Sequence, residues 1–566
     1  MIRRYLTLLT GLTVGISAYC QSSFKPGETW NDTGGSAINA HGGCVQYVDG
    51  TYYWFGETRS GSTSNGVSCY SSTDLYKWKK LSNAMTPTGT KGDNNDDVAQ
   101  GRLFERPKVI YNAKTGKYVM WAHWENGEDY GQAKVAVFTA DKITGPYKVT
   151  ENGVFRPNDH DSRDQTLFLD PNTGNAYHVS ATETNYRTHF VKLSDDFTKP
   201  TDEETLEVLG ARYEAAAMFC YGESYWCLFS GCDGWNPNRG RFAWNNNPLS
   251  GWSYGRDFYA NNSYGRDFCV DEGNLKCYTS QPAYVFPVEG RDRCFIYMGD
   301  RWNSSNVGSS KYVWLPLSIR SGYPAVRWYS QWDLSVFDHI YDKRRVAKIE
   351  EGTEAYLLEK YSDRIVSRPT SSFKLQDDEA SNTCFIFHLT DDPYTYRLEL
   401  KSQPGKYLES VFGSMRLSDA NDKATQLWYF QLEEDGYYKI INVNDKKVLS
   451  VSGNATQAGT AVALLDQSTD IHQSFAVYYD STVHPEYKEA DMYAADYRTK
   501  NLALMQEQQI ATSLRTPQTA APLQATSDYY TLGGTRLAGT PTTPGTYLLR
   551  YQSSDGTSEF RKVFIK

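Results

Sequence analysis

Five polar residues stand at the same position of an internal sequence repeat, and their types are suited to proton transfer. Each opens a segment in which an apolar residue follows four positions later, a glycine turn lies near position nine, and a tyrosine-rich strand comes next. These residues are His41, Glu105, Asp164, Glu214 and Gln281, and a further acid, Glu57, ends the second strand of the first segment. Two carboxyl groups that flank a cleft can hydrolyse a glycoside, because one protonates the leaving oxygen while the other directs or receives the nucleophile.

The repeated segments begin 50 to 67 residues apart, between about residues 25 and 340. This period, with a β-hairpin in each segment, is typical of propeller blades. The sequence therefore predicts an all-β chain: a five-bladed β-propeller followed by a β-trefoil and a small C-terminal β domain. Because equivalent positions of a radial repeat point to one axis, we expect the five residues to converge at one end of the central channel.

A single carboxylate on a strand is usually only part of a solvated face. Glu105, Asp164 and Glu214 share one register among apolar neighbours, which favours a functional interpretation, because a buried carboxylate without a partner is costly. Crowding raises the pKa of one such carboxyl and lets it act as an acid near neutral pH.

Two loops that follow equivalent hairpins carry residues suited to sugar binding. The segment SGCDGWNPN contains Trp235 and Asn236, and the segment MGDRWN contains Asp300 and Trp302. Tryptophan offers a flat apolar face to a pyranose ring, and Asn or Asp can bond its hydroxyl groups. The alternative for each tryptophan is packing between blades.

Composition and the N-terminus limit the classes of partner. The 566 residues carry a net charge of −9 and no basic tract of five or more, which argues against a nucleic-acid partner. Residues 1–20 have a short basic start and an apolar stretch too short to span a bilayer, so they predict a signal peptide. We expect an exported protein in an extracellular, cell-surface or periplasmic location. Lipidation at Cys20 stays an open alternative, although Tyr19 is too large for a good lipidation motif.

The remaining boundaries follow from weaker signals. The propeller is predicted for 21–345 and a β-trefoil for 346–482, where three repeats end near Phe385, Trp428 and Phe475. The trefoil is interpreted either as a carbohydrate-binding domain or as a buttress for the propeller. Residues 483–526 are interpreted as a linker or an additional strand segment, and 527–566 as a small β domain.

Taken in order, the motifs INAHGG, FERPKVIYN, SRDQTLFLD, EAAAMF, SGCDGWNPN, SQPAYVFP and YMGDRW resemble glycoside hydrolase family 43, and in particular its exo-β-1,3-galactanase branch. The resemblance covers about residues 30–330. It implies a secreted propeller enzyme that releases galactose from the non-reducing end of β-1,3-galactan with inversion. The trefoil resembles ricin-type sugar-binding trefoils. The elements Leu532-Gly533-Gly534 and Pro544-Gly545-Thr546-Tyr547 resemble a sorting domain of type IX secretion.

The resemblance also implies site roles. Glu214 matches the general acid, and Asp164 matches the carboxylate that tunes the pKa of the acid. Glu105 and Glu57 match acids that contact substrate or position water. The wider family uses an aspartate of the first blade as base, but this chain has Asn39-Ala40-His41 there. The galactanase branch suggests Gln281 as the partner of the water. A neutral amide is a poor base, so Glu105 and then His41 are alternatives for that role. His41 is otherwise expected to contact substrate or to be a packed or metal-binding residue of the channel.

The predicted partner is a polysaccharide substrate, galactan side chains, with secretion machinery engaged through the C-terminal domain. We expect no nucleic acid, no cofactor and a monomer, and a structural calcium ion in the channel stays open. Two other functions also stay open. One is an α-L-arabinofuranosidase or β-xylosidase of the same family, and the other is a non-catalytic glycan-binding propeller, since the first-blade aspartate is missing.

Overall fold

The structure is a computed structural model. It describes residues 22–565 apart from 62, 93–96, 210–211, 253–266, 270–271, 292–293, 321–322, 339–342, 361, 363, 377–382, 434–435, 456–457, 470, 481–482, 489, 491–496, 514–523, 532–534 and 553–557. The predicted signal peptide and the predicted Leu532-Gly533-Gly534 element lie outside these residues. Among the described residues, no helix has both the length and the apolar character needed to cross a membrane.

Five antiparallel sheets form the blades of the propeller, which confirms the predicted fold class. Blade 1 contains β1 (His41–Val48), β2 (Thr51–Ser60), β3 (Thr63–Ser72) and β4 (Lys79–Lys80), and blade 2 contains β5 (Leu103–Asn112), β6 (Lys117–Glu125), β7 (Lys134–Ala140) and β8 (Lys148–Phe155). Blade 3 contains β9 (Gln165–Leu169), β10 (Ala176–Thr182), β11 (Arg187–Leu193) and β12 (Pro200–Glu207), and blade 4 contains β13 (Tyr213–Tyr221), β14 (Ser224–Gly231) and β15 (Gly240–Asn245). Blade 5 contains β16 (Gln281–Pro287), β17 (Cys294–Arg301), β18 (Lys311–Arg320) and β19 (Tyr323–Val326).

The first strand of four blades has a break in its pairing that begins at the register residue or one residue after it. The pairing shifts between His41 and Cys44, between Glu105 and Lys108, between Glu214 and Ala217, and between Pro282 and Tyr284. The residue that follows the register position is left-handed in three of these strands, with φ of 61° at Gly42, 48° at Arg106 and 60° at Ala215. A bulge bends its strand and turns a side chain out of the regular alternation, so it can aim the register side chain along the channel.

Aromatic packing closes the ring between blade 1 and blade 5. Trp54 of β2 and Trp314 of β18 are fully buried, with ring centroids 4.7 Å apart. The chain before blade 1 joins the chain after blade 5, because Phe24 and Trp332 exchange two backbone hydrogen bonds of 2.7 and 3.0 Å and stack at 4.3 Å. The two ends of the propeller are therefore held together, which fixes the blades around their axis.

The second group of strands is a closed trefoil. It contains β20 (Lys343–Arg345), β21 (Thr353–Glu359), β22 (Ile365–Ser367), β23 (Lys374–Gln376), β24 (Phe385–Leu389), β25 (Thr395–Leu400), β26 (Lys406–Val411), β27 (Ser414–Asp419), β28 (Trp428–Leu432), β29 (Tyr438–Asn442), β30 (Val448–Val451), β31 (Val462–Leu465) and β32 (Phe475–Asp480). Six strands form a barrel that closes where β32 pairs with β21 and β29, and three hairpins extend from it. The three predicted repeat anchors, Phe385, Trp428 and Phe475, are all fully buried.

Short 3-10 helices connect these strands at Pro157–Asp159, Glu272–Thr279, Val307–Ser309, Leu334–Asp338, Ala424–Gln426, Ser452–Asn454 and Ile471–Gln473.

The chain divides into two compact units, of which the second comprises 431–436 and 498–566. It contains β33 (Gln524–Tyr530), β34 (Gly545–Gln552) and β35 (Ser558–Ile565) in one antiparallel sheet. It also contains most of helix α1 (Tyr497–Ser513), which lies in the segment that was interpreted as a linker or an additional strand. That interpretation is wrong for α1. The segment is rich in good helix formers, and Gln508 of α1 accepts a hydrogen bond from the backbone of Leu432 at 2.7 Å.

Candidate active site

One cavity of about 280 Å³ opens in the propeller. Its volume is just below the usual size range of ligand pockets, about 300–1,000 Å³, and most of its polar lining is ionisable. The residues that line it are His41, Gly42, Glu57, Arg59, Glu105, Arg106, His123, Tyr130, Arg163, Asp164, Asn185, Glu214, Gly234, Trp235, Gln281, Trp302 and Val307. All five blades contribute to it, so the shared register residues converge as the repeat predicts.

Glu214 is the carboxyl whose environment suits a proton donor. Its Oε1 accepts a hydrogen bond from Gln281 Nε2 at 2.8 Å, and its Oε2 accepts one from Asn185 Nδ2 at 3.0 Å. Burial and the nearby Asp164 carboxylate raise the pKa of Glu214 to about 7, although Cys232, Arg106 and Gln281 partly oppose them. A substantial fraction of Glu214 is therefore protonated at neutral pH, which is the state a general acid requires.

Arg106 connects the groups around Glu214. Its Nε lies 2.7 Å from Asp164 Oδ1, its Nη1 donates to Pro282 O at 2.8 Å, and its Nη2 donates to Gln281 Oε1 at 2.5 Å. The bulge in β5 turns this buried guanidinium into the channel, where its charge compensates Asp164. Asp164 itself lies directly before β9, and its side chain stays partly exposed.

Both polar ends of Gln281 are occupied. Its amide oxygen accepts hydrogen bonds from Arg106 Nη2 at 2.5 Å and from Trp302 Nε1 at 2.7 Å, while its amide nitrogen donates to Glu214. Two donors on the oxygen and one acceptor on the nitrogen define the orientation of the amide. In this arrangement Gln281 holds the Glu214 carboxyl in place.

Glu105 and Glu57 share a guanidinium. Arg59 donates from Nε to Glu57 Oε2 at 2.7 Å and from Nη2 to Glu105 Oε1 at 2.5 Å. Tyr130 donates its hydroxyl to the same Glu105 oxygen at 2.7 Å, and His123 Nδ1 lies 3.3 Å from the other. Burial alone would raise the pKa of Glu105, but His123, Arg59 and Tyr130 hold it well below its usual range. Glu105 is therefore an ionised, weakly basic acceptor.

Behind Glu105, His123 is held between two carboxylates. Its Nε2 lies 3.0 Å from Glu125 Oε1, and Glu125 in turn accepts the backbone N–H groups of Gln132 and Ala133. Burial disfavours the imidazolium, but Glu105 and Glu125 outweigh it and raise the pKa of His123 to about 9. A cationic His123 therefore compensates part of the negative charge of the pocket.

Two residues that were expected to contact substrate, Asp300 and Asn236, lie outside the lining of the cavity. Asp300 is buried behind His41, with Oδ1 3.3 Å from His41 Nδ1 and Oδ2 accepting from Gly42 N at 3.0 Å. Asn236 donates its amide to Asp233 O at 3.3 Å, within the exposed loop. The loop motifs bring these residues near the site, but pairing of Gln281 with Asp300 across β16 and β17 directs Asp300 toward β1.

Trp235 and Trp302 both line the cavity and meet edge to face, with centroids 5.5 Å apart. Trp235 is 40% exposed, so its face is available to a sugar. Trp302 has a second use, since its indole N–H fixes Gln281.

Several lining residues have no counterpart in the sequence prediction. They are Arg59, Arg106, His123, Tyr130, Arg163 and Asn185. Arg59 could have been found from the Glu57-x-Arg59 alternation, because residues two apart on a strand share a face. Arg106 and Asn185 gave no periodic signal, since Arg106 is turned by a bulge and Asn185 lies in a left-handed loop with φ of 67°.

Glu105, His123 and Asp164 bring potential metal ligands within 4.8 Å of one another. These donors do not fit the calcium ion that the sequence left open, because calcium takes six to eight oxygen ligands. Here Asp164 is paired with Arg106, Glu105 is paired with Arg59, and the high pKa of His123 favours a proton on its nitrogen.

Comparison with known proteins places the chain in a family. The family described as ricin-type beta-trefoil lectin domain-like matches residues 424–485, and no curated protein matches the chain. An exo-β-1,3-galactanase from Clostridium thermocellum is 26% identical with a TM-score of 0.50, covering 80% of this chain and 99% of that one. An exo-β-1,3-galactanase from Phanerochaete chrysosporium with β-1,3-galactotriose, at 24% identity and a TM-score of 0.50 over 81% of this chain and 96% of that one, shares the fold.

A solved β-1,3-galactosidase of glycoside hydrolase family 43 is much more similar. It is 49% identical with a TM-score of 0.78, and the alignment covers 86% of this chain and all of that chain. With the five blades and the carboxyl groups of the cavity in place, the chain belongs to glycoside hydrolase family 43.

Proposed function

We propose that the protein is an exo-acting hydrolase that releases galactose from the non-reducing end of β-1,3-galactan with inversion of configuration. The observation that carries the proposal is Glu214, a carboxyl with a pKa of about 7 in a small pocket lined by charged groups and an exposed tryptophan. A cavity of about 280 Å³ suits one terminal sugar ring rather than a long stretch of chain.

The chemistry follows from the contacts of Glu214. Protonated Glu214 donates its proton to the glycosidic oxygen as the bond to the anomeric carbon breaks. Asp164 raises the pKa of Glu214 before the reaction, and Arg106 limits this effect. Gln281 and Asn185 hold the two carboxyl oxygens, so the acid is presented in one orientation.

Inversion is supported by the state of the other carboxylates. A retaining enzyme needs a carboxylate free to bond the anomeric carbon. Asp164 is paired with Arg106 at 2.7 Å, and Glu105 accepts from Arg59 and Tyr130. Because each is already held by strong donors, direct attack by water is the better path.

The substrate is proposed from the relatives. The solved family 43 protein at 49% identity carries the name β-1,3-galactosidase, and the Clostridium thermocellum protein is an exo-β-1,3-galactanase. Trp235 beside the pocket offers an apolar face to the leaving part of such a chain.

Product analysis tests the proposal. We expect galactose from β-1,3-galactobiose and β-1,3-galactan, with the α-anomer formed first by NMR, and no release from arabinan or xylan. Glu214→Gln should lose at least about 100-fold in kcat while it still binds galactobiose, because general acid catalysis contributes about 10²–10⁴-fold. Pentose release would favour the arabinofuranosidase or xylosidase alternative. Binding of galactan by the wild-type chain without any release would favour the glycan-binding alternative.

Export, and sorting through the C-terminal domain, belong to the same proposal. The basic and apolar start of the sequence supports export, and the small antiparallel sheet β33–β35 supports a separate C-terminal domain. Cell fractionation with N-terminal sequencing tests both, and a mature protein that retains residues 1–20 in the cytoplasm would contradict them. The monomer stays a prediction, which sedimentation analysis would test.

A further inference from the structure

We infer that His41 is the general base of the reaction and that buried Asp300 orients it. This inference rests on the proposed function, because it assigns the group that activates the attacking water.

His41 has one ring nitrogen held and the other without a hydrogen-bond partner. The side chain is 1% exposed and lines the same cavity as Glu214. Nδ1 lies 3.3 Å from Asp300 Oδ1, whereas Nε2 is buried and has no hydrogen-bond partner among the described residues. Because His41 lines a polar cavity, a bound water is the partner that would satisfy this buried nitrogen.

Asp300 determines which nitrogen of His41 carries the proton. An ionised carboxylate only accepts hydrogen bonds, so Nδ1 must be the donor and Nε2 retains its lone pair. Asp300 is fixed from the other side by the N–H of Gly42 at 3.0 Å, which the bulge in β1 turns toward it. In a catalytic triad, an aspartate bonded to Nδ1–H orients the histidine in the same way.

The imidazole plane is also fixed. His41 stacks on Tyr312, with centroids 5.2 Å apart and planes inclined by 15°. The Tyr312 hydroxyl accepts from Ala40 N at 2.9 Å and donates to Ile38 O at 3.0 Å, so the stacking surface cannot rotate freely. The ring is therefore held in one position relative to the cavity.

The other two candidates are less suited to accept a proton. Gln281 uses its oxygen to accept from Arg106 and Trp302 and its nitrogen to donate to Glu214, and a neutral amide is a weak base. Glu105 accepts from Arg59 and Tyr130 and lies beside His123, contacts that stabilise its ionised form and lower its basicity.

The proposed step balances in atoms and protons. A water oxygen bonds to the anomeric carbon from the face opposite the leaving oxygen, and His41 Nε2 takes one proton of that water. The bond between the anomeric carbon and the glycosidic oxygen breaks, and that oxygen takes the proton of Glu214. Galactose and the shortened chain leave, and solvent then takes the proton from His41 and returns one to Glu214.

The test compares a variant that lacks the proposed base with a variant that lacks the acid, on substrates with different leaving groups. 2,4-Dinitrophenyl β-galactoside has a leaving group that needs no proton, so Glu214→Ala should retain most turnover on it. His41→Ala should lose about 10²–10⁴-fold in kcat on this substrate and on galactobiose alike, because the missing base is needed with either leaving group. Asp300→Asn should lose about 10²–10⁴-fold with galactose binding retained, since the imidazole would then present the wrong tautomer.

Rescue by azide distinguishes a catalytic role of His41 from a purely structural one, because azide cannot replace a residue that only supports the fold. Azide attacks without losing a proton, so we expect it to restore turnover in His41→Ala and to yield α-galactosyl azide. His388→Ala on the trefoil serves as the matched control and should behave as wild type. Melting temperature and galactose binding check each fold, and His41→Gln is the second variant if His41→Ala does not fold.

The outcomes are distinguishable from failure of the proposed function. If wild type releases no galactose from any substrate, the proposed function fails. If wild type is active but His41→Ala retains kcat within about threefold, or folds and yields no azide product, the base assignment is overturned. Formation of the azide product by Glu105→Gln or Gln281→Ala instead would assign the base to that residue.

Discussion

At the scale of single residues, opposing contacts set the protonation of Glu214. Burial and the Asp164 carboxylate favour the neutral acid, and Arg106, Gln281 and Cys232 favour the ionised form. Cys232 follows the end of β14, and its Sγ lies 3.0 Å from the same Asn185 Nδ2 that donates to Glu214. Because burial raises the pKa of the Cys232 thiol, it stays protonated and can donate to the Glu214 carboxylate.

The pH dependence of turnover should reflect Glu214. The acid acts only when protonated, and its pKa is raised to about 7, so kcat should fall as the pH rises through about 7. Initial rates on galactobiose measured between pH 4 and 9 give this fall in kcat, the alkaline limb of the pH profile. A profile that stays flat to pH 9 would contradict the assignment of Glu214 as the acid.

Replacing Cys232 should move the alkaline limb of the pH profile of kcat to higher pH. Cys232→Ala removes a donor to the ionised carboxylate, and such a hydrogen bond contributes about 0.5–1.5 kcal/mol, which corresponds to a shift of up to about one pH unit. Cys232→Ser should leave the limb near its wild-type position. Cys220 is the matched control, because it is also only partly buried and belongs to the same blade. An unchanged limb in Cys232→Ala would show that the thiol does not act on Glu214.

At the scale of elements, bulges in the first strands aim the site residues. The bulge in β1 places Gly43 so close to β2 that a Cβ would lie 1.6 Å from Phe55 O. Only glycine allows this approach, and the same bulge turns the N–H of Gly42 toward Asp300. The positions of His41 and Asp300 therefore depend on a glycine that takes no part in chemistry.

Gly43→Ala should destabilise the propeller strongly, by more than about 3 kcal/mol, because backbone atoms of β2 must shift. Gly50→Ala is the matched control. Gly50 has φ of 79° in the turn between β1 and β2 with open space around it, so only the left-handed strain of about 1–2 kcal/mol applies. Chemical denaturation of both variants measures the difference. Equal losses would contradict the close approach of the two strands.

At the scale of the whole catalytic unit, the ring of blades and the trefoil share one compact body. Arg327, after β19, is 1% exposed and donates from Nη2 to Ser362 O of the trefoil at 2.8 Å. Within the trefoil, Gln426 and Gln473 each donate to a backbone oxygen seven residues earlier, at Asp419 and Asp466. The Arg327 contact supports the interpretation of the trefoil as a buttress for the propeller, and the two glutamine contacts stabilise the trefoil itself. Carbohydrate binding by the trefoil stays a prediction.

Removing the trefoil should weaken the propeller without removing the pocket. A chain that ends at residue 345 would expose the Arg327 guanidinium and its packing surface, so we expect a melting temperature several degrees lower, at about 2–4 °C per kcal/mol. Galactose release per folded molecule should persist, because every residue that lines the cavity precedes 345. An unchanged melting temperature would contradict the buttress role. The full chain assayed beside it is the control.

The sequence by itself determined the repeat and therefore the blades, because glycine turns and strand alternation are local. It placed His41, Glu105, Asp164, Glu214 and Gln281 at one register, and the family resemblance was confirmed at 49% identity. It missed α1, because a polar segment between domains gave no apolar period. The catalytic roles stay predictions.

Only the tertiary structure decided what each site residue contacts. The bulges that turn Arg106 between Asp164 and Gln281, and Gly42 toward Asp300, depend on pairing between strands and are not periodic in the sequence. Asp300 was therefore expected in the pocket and instead lies behind His41. The pKa of Glu214 also depends on burial and on carboxylates that are distant in sequence, so composition and spacing alone could not give it.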